Sequence, residues 1–240
     1  DEVDGISQYW FIEELEKDFN NKKEEIISNL KQLLIYIFRK ENLIISYTGD
    51  NDSYKTYISS LINELYNEEI NKEPFEFVKE IKNEGFKTPS QVQYVARFGN
   101  FEEVGDYTGA FQVFGMALRY DYLWTQVRVL GGAYGCMSQT SRQKDIYFVS
   151  YRDPNLERTN DVFEKVVDYI ENFNPTEDEL TKYIIGAIGT LDEPLTPRAK
   201  GDTDFIYYLK GITYEDLKKE RDEVLNVTLN DIKALKPLLK

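Results

Sequence analysis

One short run holds two residue types that could do chemistry together. Arg128 and Tyr134 stand on either side of a glycine pair in Arg128-Val129-Leu130-Gly131-Gly132-Ala133-Tyr134-Gly135. Arginine offers a planar, permanently charged donor fork, and tyrosine a hydroxyl on a rigid stem. Such a pair could grip a peptide carbonyl or stabilise an oxyanion, where one pre-oriented donor is worth ~3 kcal/mol in the transition state. Spacing alone favours a structural reading, because an arginine at a helix end commonly meets carbonyls or a carboxylate. The glycines do not make a phosphate loop. They follow an expected helix and precede an expected strand, and no Gly-Lys-Ser/Thr accompanies them. They read as a helix C-cap with a left-handed glycine.

Other candidates are weaker. The carboxylate pairs Glu13-Glu14, Glu24-Glu25, Glu68-Glu69 and Asp192-Glu193 read as solvated faces. Glu102-Glu103-x-x-Asp106 lacks the alternating oxygen ligands of a calcium or magnesium loop. Trp124, Phe111 and Phe114 read as core residues rather than ligand stackers. Cys136 is the only cysteine, with no basic neighbour in sequence, and is expected to be inert. The chain has no histidine, which excludes a histidine triad, histidine-ligated zinc and an imidazole relay within it. With 29 basic and 43 acidic residues its net charge is −14, so nucleic acid and anionic membrane surfaces are not expected partners. A lone cysteine and no run of ~20 apolar residues point to the cytoplasm.

The elements that must hold these residues follow from periodicity. Residues 91–151 carry five acids and five bases and seven of the fourteen glycines, so a neutral block lies between acidic flanks. Its bases include Arg97, Arg119, Arg128 and Arg142. Before it, Trp10–Leu15 and Ile26–Phe38 read as helices, the second with Asn20-Asn21 as its cap. Leu43–Thr48 reads as a buried strand, Tyr54–Leu65 as a helix and residues 69–90 as a long connection. Within the block the pattern predicts a half-buried strand over 92–97, a helix over 108–127 and a hairpin of 133–141 with 145–151. Ile146, Phe148 and Ser150 should face one way, and Tyr147, Val149 and Tyr151 the other. The remainder is helical, with capping patterns at Thr176-x-x-Glu179 and Thr213-x-x-Asp216. The fold class is therefore α+β, a mixed or mostly antiparallel sheet with helices on one face. Residues 1–40 read as a helical lead-in, and residues 41–240 as a single domain.

Longer motifs carry a family resemblance. Thr88-Pro89-Ser90-Gln91-Val92-Gln93-Tyr94-Val95, followed by Leu118-Arg119-x3-Leu123-Trp124-x3-Arg128-x2-Gly131-Gly132-Ala133-Tyr134-Gly135, resembles the last domain of presequence proteases. These form a branch of the insulinase/pitrilysin superfamily of zinc peptidases. Phe148–Asn155 and Thr190–Pro194 extend the match, which runs from about residue 25 onward. The resemblance implies four homologous α+β domains clamped around a closed chamber. It also implies an H-x-x-E-H zinc motif in the first half and an arginine and a tyrosine supplied from the last domain. Those two map onto Arg128 and Tyr134, as donors to the substrate carbonyl and the tetrahedral intermediate. Peptides and the N-terminal catalytic half are the implied partners.

This sequence lacks H-x-x-E-H, so no zinc ligand or general base carries over, and the chain alone is expected to be inactive. A start at Asp1-Glu2-Val3-Asp4 without methionine predicts a C-terminal piece of a longer zinc endopeptidase. The rival expectation is a non-catalytic, peptide-binding or scaffolding subunit that works with a zinc-bearing partner.

Overall fold

The structure, a computed structural model, describes residues 5–49, 54–67, 70 and 83–240. The chain divides into two compact units, residues 1–82 and 83–240, and the expected lead-in lies wholly inside the first.

In the first unit α1 (Ile6–Lys17) and α2 (Phe19–Ile37) meet at Asp18. Asn21 does not cap α2; its side-chain amide donates to the Asp18 carboxylate at 2.6 Å, inside the helix. The third helix, α3 (Tyr54–Glu64), falls where the periodicity puts it. The expected buried strand Leu43–Thr48 is not one. It is irregular, with Ile44, Ile45 and Tyr47 exposed and no ladder partner among the described residues. A β-rich composition marks a segment that fits a sheet, and a strand forms only where a neighbour pairs with it. The expected connection over 69–90 falls mostly outside the described residues.

The second unit is α+β. Its sheet is antiparallel in the order β1 (Ala96–Asn100), β3 (Asp145–Tyr151), β2 (Gly135–Thr140). β1 begins later than expected, although pairing already starts with the bridge between Gln93 and Asp153. β2 and β3 form the predicted hairpin. A turn closed by Lys144 N donating to Ser141 O at 3.0 Å is followed by Lys144 at φ 67°, which suits the twist of the strands. Along β3, Ile146, Phe148 and Ser150 are buried and the residues between them are not, the alternation that the sequence predicts.

Helices cover the buried face. α4 (Ala110–Ala117) is the centre of the core, with Val113, Phe114 and Ala117 fully enclosed. α5 (Glu157–Glu164) places Phe163 on Phe148, ring centres 5.6 Å apart. Then come α6 (Val166–Asn172), α7 (Glu177–Leu191), α8 (Pro197–Lys210), α9 (Tyr214–Leu225) and α10 (Leu229–Lys233). Both predicted threonine caps form complete capping boxes, and Thr228 makes a third with Asp231. Each satisfies two backbone N–H groups that a helix start leaves without partners.

A buried carboxylate ties these layers together. Glu220 of α9 is 5% exposed and accepts from the Tyr107 hydroxyl at 2.5 Å and the Gln112 amide at 3.0 Å, while Arg142 of the hairpin turn pairs with it. Burial pushes the Tyr107 hydroxyl above its usual pKa, so it stays a donor.

Candidate functional site

The helix leading to Arg128 is not an α-helix throughout. After α4 it continues over Leu118–Val129 as a π-helix, with hydrogen bonds spanning five residues instead of four. Its buried residues are Leu118, Leu123 and Val127, spaced five and then four apart, which a wider helix turns to one side. That spacing is visible in the sequence and was the available signal for this geometry.

The π-helix ends in bonds that define the site. Leu130 N donates to Thr125 O at 2.9 Å, Gly132 N to Arg128 O at 2.9 Å, and Ala133 N to Val127 O at 3.2 Å. Gly132 sits at φ 80°, so the expected left-handed cap is there. Gly131 is required for another reason. A methyl group on it would lie 2.4 Å from Val127 O and 2.5 Å from the Arg158 guanidinium.

Arg128 is exposed, and its guanidinium lies 4.1 Å from the centre of the Trp124 ring one turn back. This stacking is worth ~0.5–1 kcal/mol at an exposed site and aims the donor fork. Trp124, expected in the core, is instead 44% exposed and serves as the platform for that guanidinium; Phe111 and Phe114 are core. Arg97 and Arg142 pair with Glu164 and Glu220, whereas Arg128 makes no ion pair among the described residues. Arg119 lines a cavity of about 200 Å³ with Gln112, Ser138 and Thr190, a site that includes neither Arg128 nor Tyr134.

Tyr134 is the residue before β2. Its backbone N–H donates to Tyr151 O at 3.1 Å and Arg152 O at 3.3 Å, which fixes it to the end of β3. Its side chain is 66% exposed and stands edge-on to Tyr151, ring centres 5.8 Å apart. Tyr94 meets the same Tyr151 ring at 5.2 Å, and the Arg152 guanidinium lies 5.6 Å from it. Phe98 and Met137 are also exposed, on the sheet residues paired with Tyr147 and Val149. Donors at a rigid turn thus border an aromatic, apolar strip, which suits an extended peptide with both carbonyls and side chains to satisfy.

Cys136 follows within reach of the Arg128 charge, a basic neighbour that sequence proximity did not reveal. Burial outweighs that charge and pushes the thiol up, so it stays protonated and unreactive. The residues that hold this turn from behind are Asp153 and Asn155, inside the Phe148–Asn155 motif, and Arg158, which sequence reasoning missed. Asp153 is fully buried and accepts from Asn155 N at 2.8 Å and the Thr159 hydroxyl at 2.7 Å. Only its place after a strand and before a helix hinted at such a junction.

The family model of the PreP C-terminal domain matches residues 83–239. Protein HypA of Clostridium perfringens (strain 13 / Type A) is 40% identical over 244 residues, taking in 100% of this chain and 25% of that protein. Presequence protease 1, chloroplastic/mitochondrial, of Arabidopsis thaliana is 30% identical over 239 residues, 97% of this chain and 22% of its own. A solved protease from Helicobacter pylori superposes with a TM-score of 0.50 at 15% identity, over 79% of this chain and 50% of that one, a likeness of fold. The chain spans about a quarter of the length of the curated relatives it matches.

Proposed function

The chain belongs to the PreP C-terminal domain family, and on that premise we propose that it is the C-terminal quarter of a zinc metalloendopeptidase that cuts short, unfolded peptides. In this reading Arg128 and Tyr134 are its contribution to the active site. The observation that carries it is the pairing of an exposed Arg128, without an ion pair among the described residues, with an exposed Tyr134 across one fixed turn, beside an exposed aromatic strip.

The residues present do not fit a zinc site. There is no histidine, and no cluster of three or more carboxylate and thiol groups that could hold a metal occurs among the described residues. Zinc and the group that activates water would therefore belong to the N-terminal catalytic half, the partner that the insulinase/pitrilysin resemblance implies. This chain's part is binding and orientation. The Arg128 fork donates to the carbonyl oxygen of the scissile peptide, and the Tyr134 hydroxyl donates to the same oxygen as it gains charge. Both donors are aimed before substrate arrives, so little reorganisation is needed when charge develops. The aromatic strip of Tyr94, Tyr134 and Tyr151 would hold substrate side chains.

A net charge of −14 disfavours nucleic acid as a partner. No helix among the described residues is long and apolar enough to cross a membrane. A single cysteine suits a cytoplasmic location.

The test is made in the full-length protein. Arg128→Ala and Tyr134→Phe should each lower kcat for peptide cleavage at least tenfold, with zinc content unchanged. Wild-type cleavage by both variants would overturn the assignment. The 240-residue chain alone should bind no zinc tightly and cleave nothing. The absence of histidine also favours a second reading, a peptide-gripping subunit without catalytic residues of its own. A start codon just before Asp1, with a separate gene encoding H-x-x-E-H, would select it.

A further inference from the structure

We propose that Arg158 and Asn155 are positioning residues that hold the Arg128 turn in its π-helical register and thereby set Arg128 against Tyr134. The proposal rests on the site assignment above. It begins with the backbone acceptors that the helix end leaves open.

In an α-helical last turn, Leu130 N would donate to Gln126 O, four residues back. Here it donates to Thr125 O, five back, at 2.9 Å. The Arg158 Nη1 donates to Gln126 O at 2.8 Å, which satisfies that acceptor while Leu130 N stays five back. A guanidinium at a helix C-terminus is favoured by the dipole as well as by the bond. Asn155 Nδ2 donates to Gly131 O at 2.6 Å, so the turn is gripped on both sides of Arg128. If Arg158 released Gln126 O, Leu130 N could return to it and the last turn would wind tighter. An α-turn advances more per residue than the wider π-turn, so the Arg128 side chain would shift around the axis. Tyr134 would not follow, because its N–H is bonded to the end of β3.

The anchor of the two gripping residues is rigid and shared with Tyr134. Arg152, whose carbonyl receives the Tyr134 N–H, is left-handed at φ 47°, and turns the chain into Asp153. Asp153 exchanges backbone hydrogen bonds with Gln93 at 2.8 and 2.9 Å. Its carboxylate holds Asn155 N and the Thr159 hydroxyl, closing the start of α5 around Arg158. One strand-to-helix junction, residues 151–159, is thus bonded to Tyr134 at one end and to the Arg128 turn at the other. A left-handed arginine is a costly conformation, and at this junction it places two donors behind the turn.

The test is a double-mutant cycle in the full-length protein, read as kcat/KM for a fluorogenic peptide. Arg128→Ala alone should cost about 100-fold. Arg158→Ala should cost about tenfold with Arg128 present and less than twofold when Arg128 is already Ala. Arg158→Lys, which keeps a charged donor for Gln126 O, should recover most of the loss. Asn155→Ala should show the same dependence on Arg128. An equal loss from Arg158→Ala in both backgrounds, or no loss in either, would overturn the positioning role while leaving the site assignment standing. A silent Arg128→Ala would instead remove the site assignment, and this proposal with it. If neither Arg158→Ala nor Asn155→Ala yields folded protein, the two residues hold the fold and not the site, and the proposal fails.

Discussion

Gly131 and Gly132 are adjacent and identical, yet they should respond differently to the same added methyl group. At Gly131 the backbone conformation is open to any residue, but the new Cβ would sit 2.4 Å from Val127 O and 3.1 Å from Gln126 O, both backbone atoms. It would also displace the Arg158 guanidinium from 2.5 Å. Overpacking against backbone costs about 1–3 kcal/mol. Of the ~1.5–3 kcal/mol typical of a charged hydrogen bond, about 1 should be lost, since Arg158 is half-buried and regains water. Gly131→Ala should therefore destabilise by about 2–4 kcal/mol. At Gly132 the Cβ meets only Pro154 at 3.6 Å, ordinary contact, and the cost is the left-handed backbone, about 1–2 kcal/mol. At roughly 2–4 °C per kcal/mol for a chain of this size, the melting shifts are about 5–15 °C and 2–8 °C. Urea and thermal unfolding of the 240-residue chain, followed by fluorescence in a Trp10→Phe background, lets Trp124 report on this unit alone. Arg158→Ala should not rescue Gly131→Ala, because the closest clash is with Val127 O. Equal costs at the two glycines, a reversed order, or full rescue would refute the reasoning.

Two further outcomes follow from the polar network and the caps. Arg142→Ala strips the buried Glu220 of its cation and should cost about 3–5 kcal/mol; Glu220→Gln added to it should recover part of that in urea titrations. The side-chain hydrogen bonds of Thr213 and Thr228 hold Asp216 and Asp231 below the usual carboxylate pKa. Their stabilisation is complete above the unfolded value, ~3.9, and is lost as pH falls through the lower folded values. The melting temperature should stay level from pH 7 to about 5 and fall below about 4, and Thr213→Val with Thr228→Val should flatten that acid limb.

Much of the second unit could be read from the chain itself, because its signals are local. A threonine three residues before an acid caps a helix wherever it stands, and Thr176 and Thr213 do so. Alternating burial along Ile146–Tyr151 needs only the two-residue period of a strand. The candidate pair was also legible, Arg128 and Tyr134 being marked by residue type and by the family motif around them. The sequence could not say which arginines would meet acidic partners. Arg97 and Arg142 meet Glu164 and Glu220, far away along the chain, and only folding brings those partners in.

The same distance explains the other differences. Leu43–Thr48 has the composition of a strand, but a strand is a relation between two segments and composition describes one. Trp124 has the bulk of a core residue, yet its ring is exposed and lies under the Arg128 guanidinium. The π register in the last turn of the helix that carries it leaves Gln126 O to a side-chain donor. That donor is Arg158, delivered by a hairpin and a buried aspartate that the local sequence around Arg128 does not contain. The sequence by itself determined the arginine and the tyrosine proposed to grip a peptide carbonyl. Tertiary structure decided their aim, because aim depends on acceptors taken by partners from distant parts of the chain.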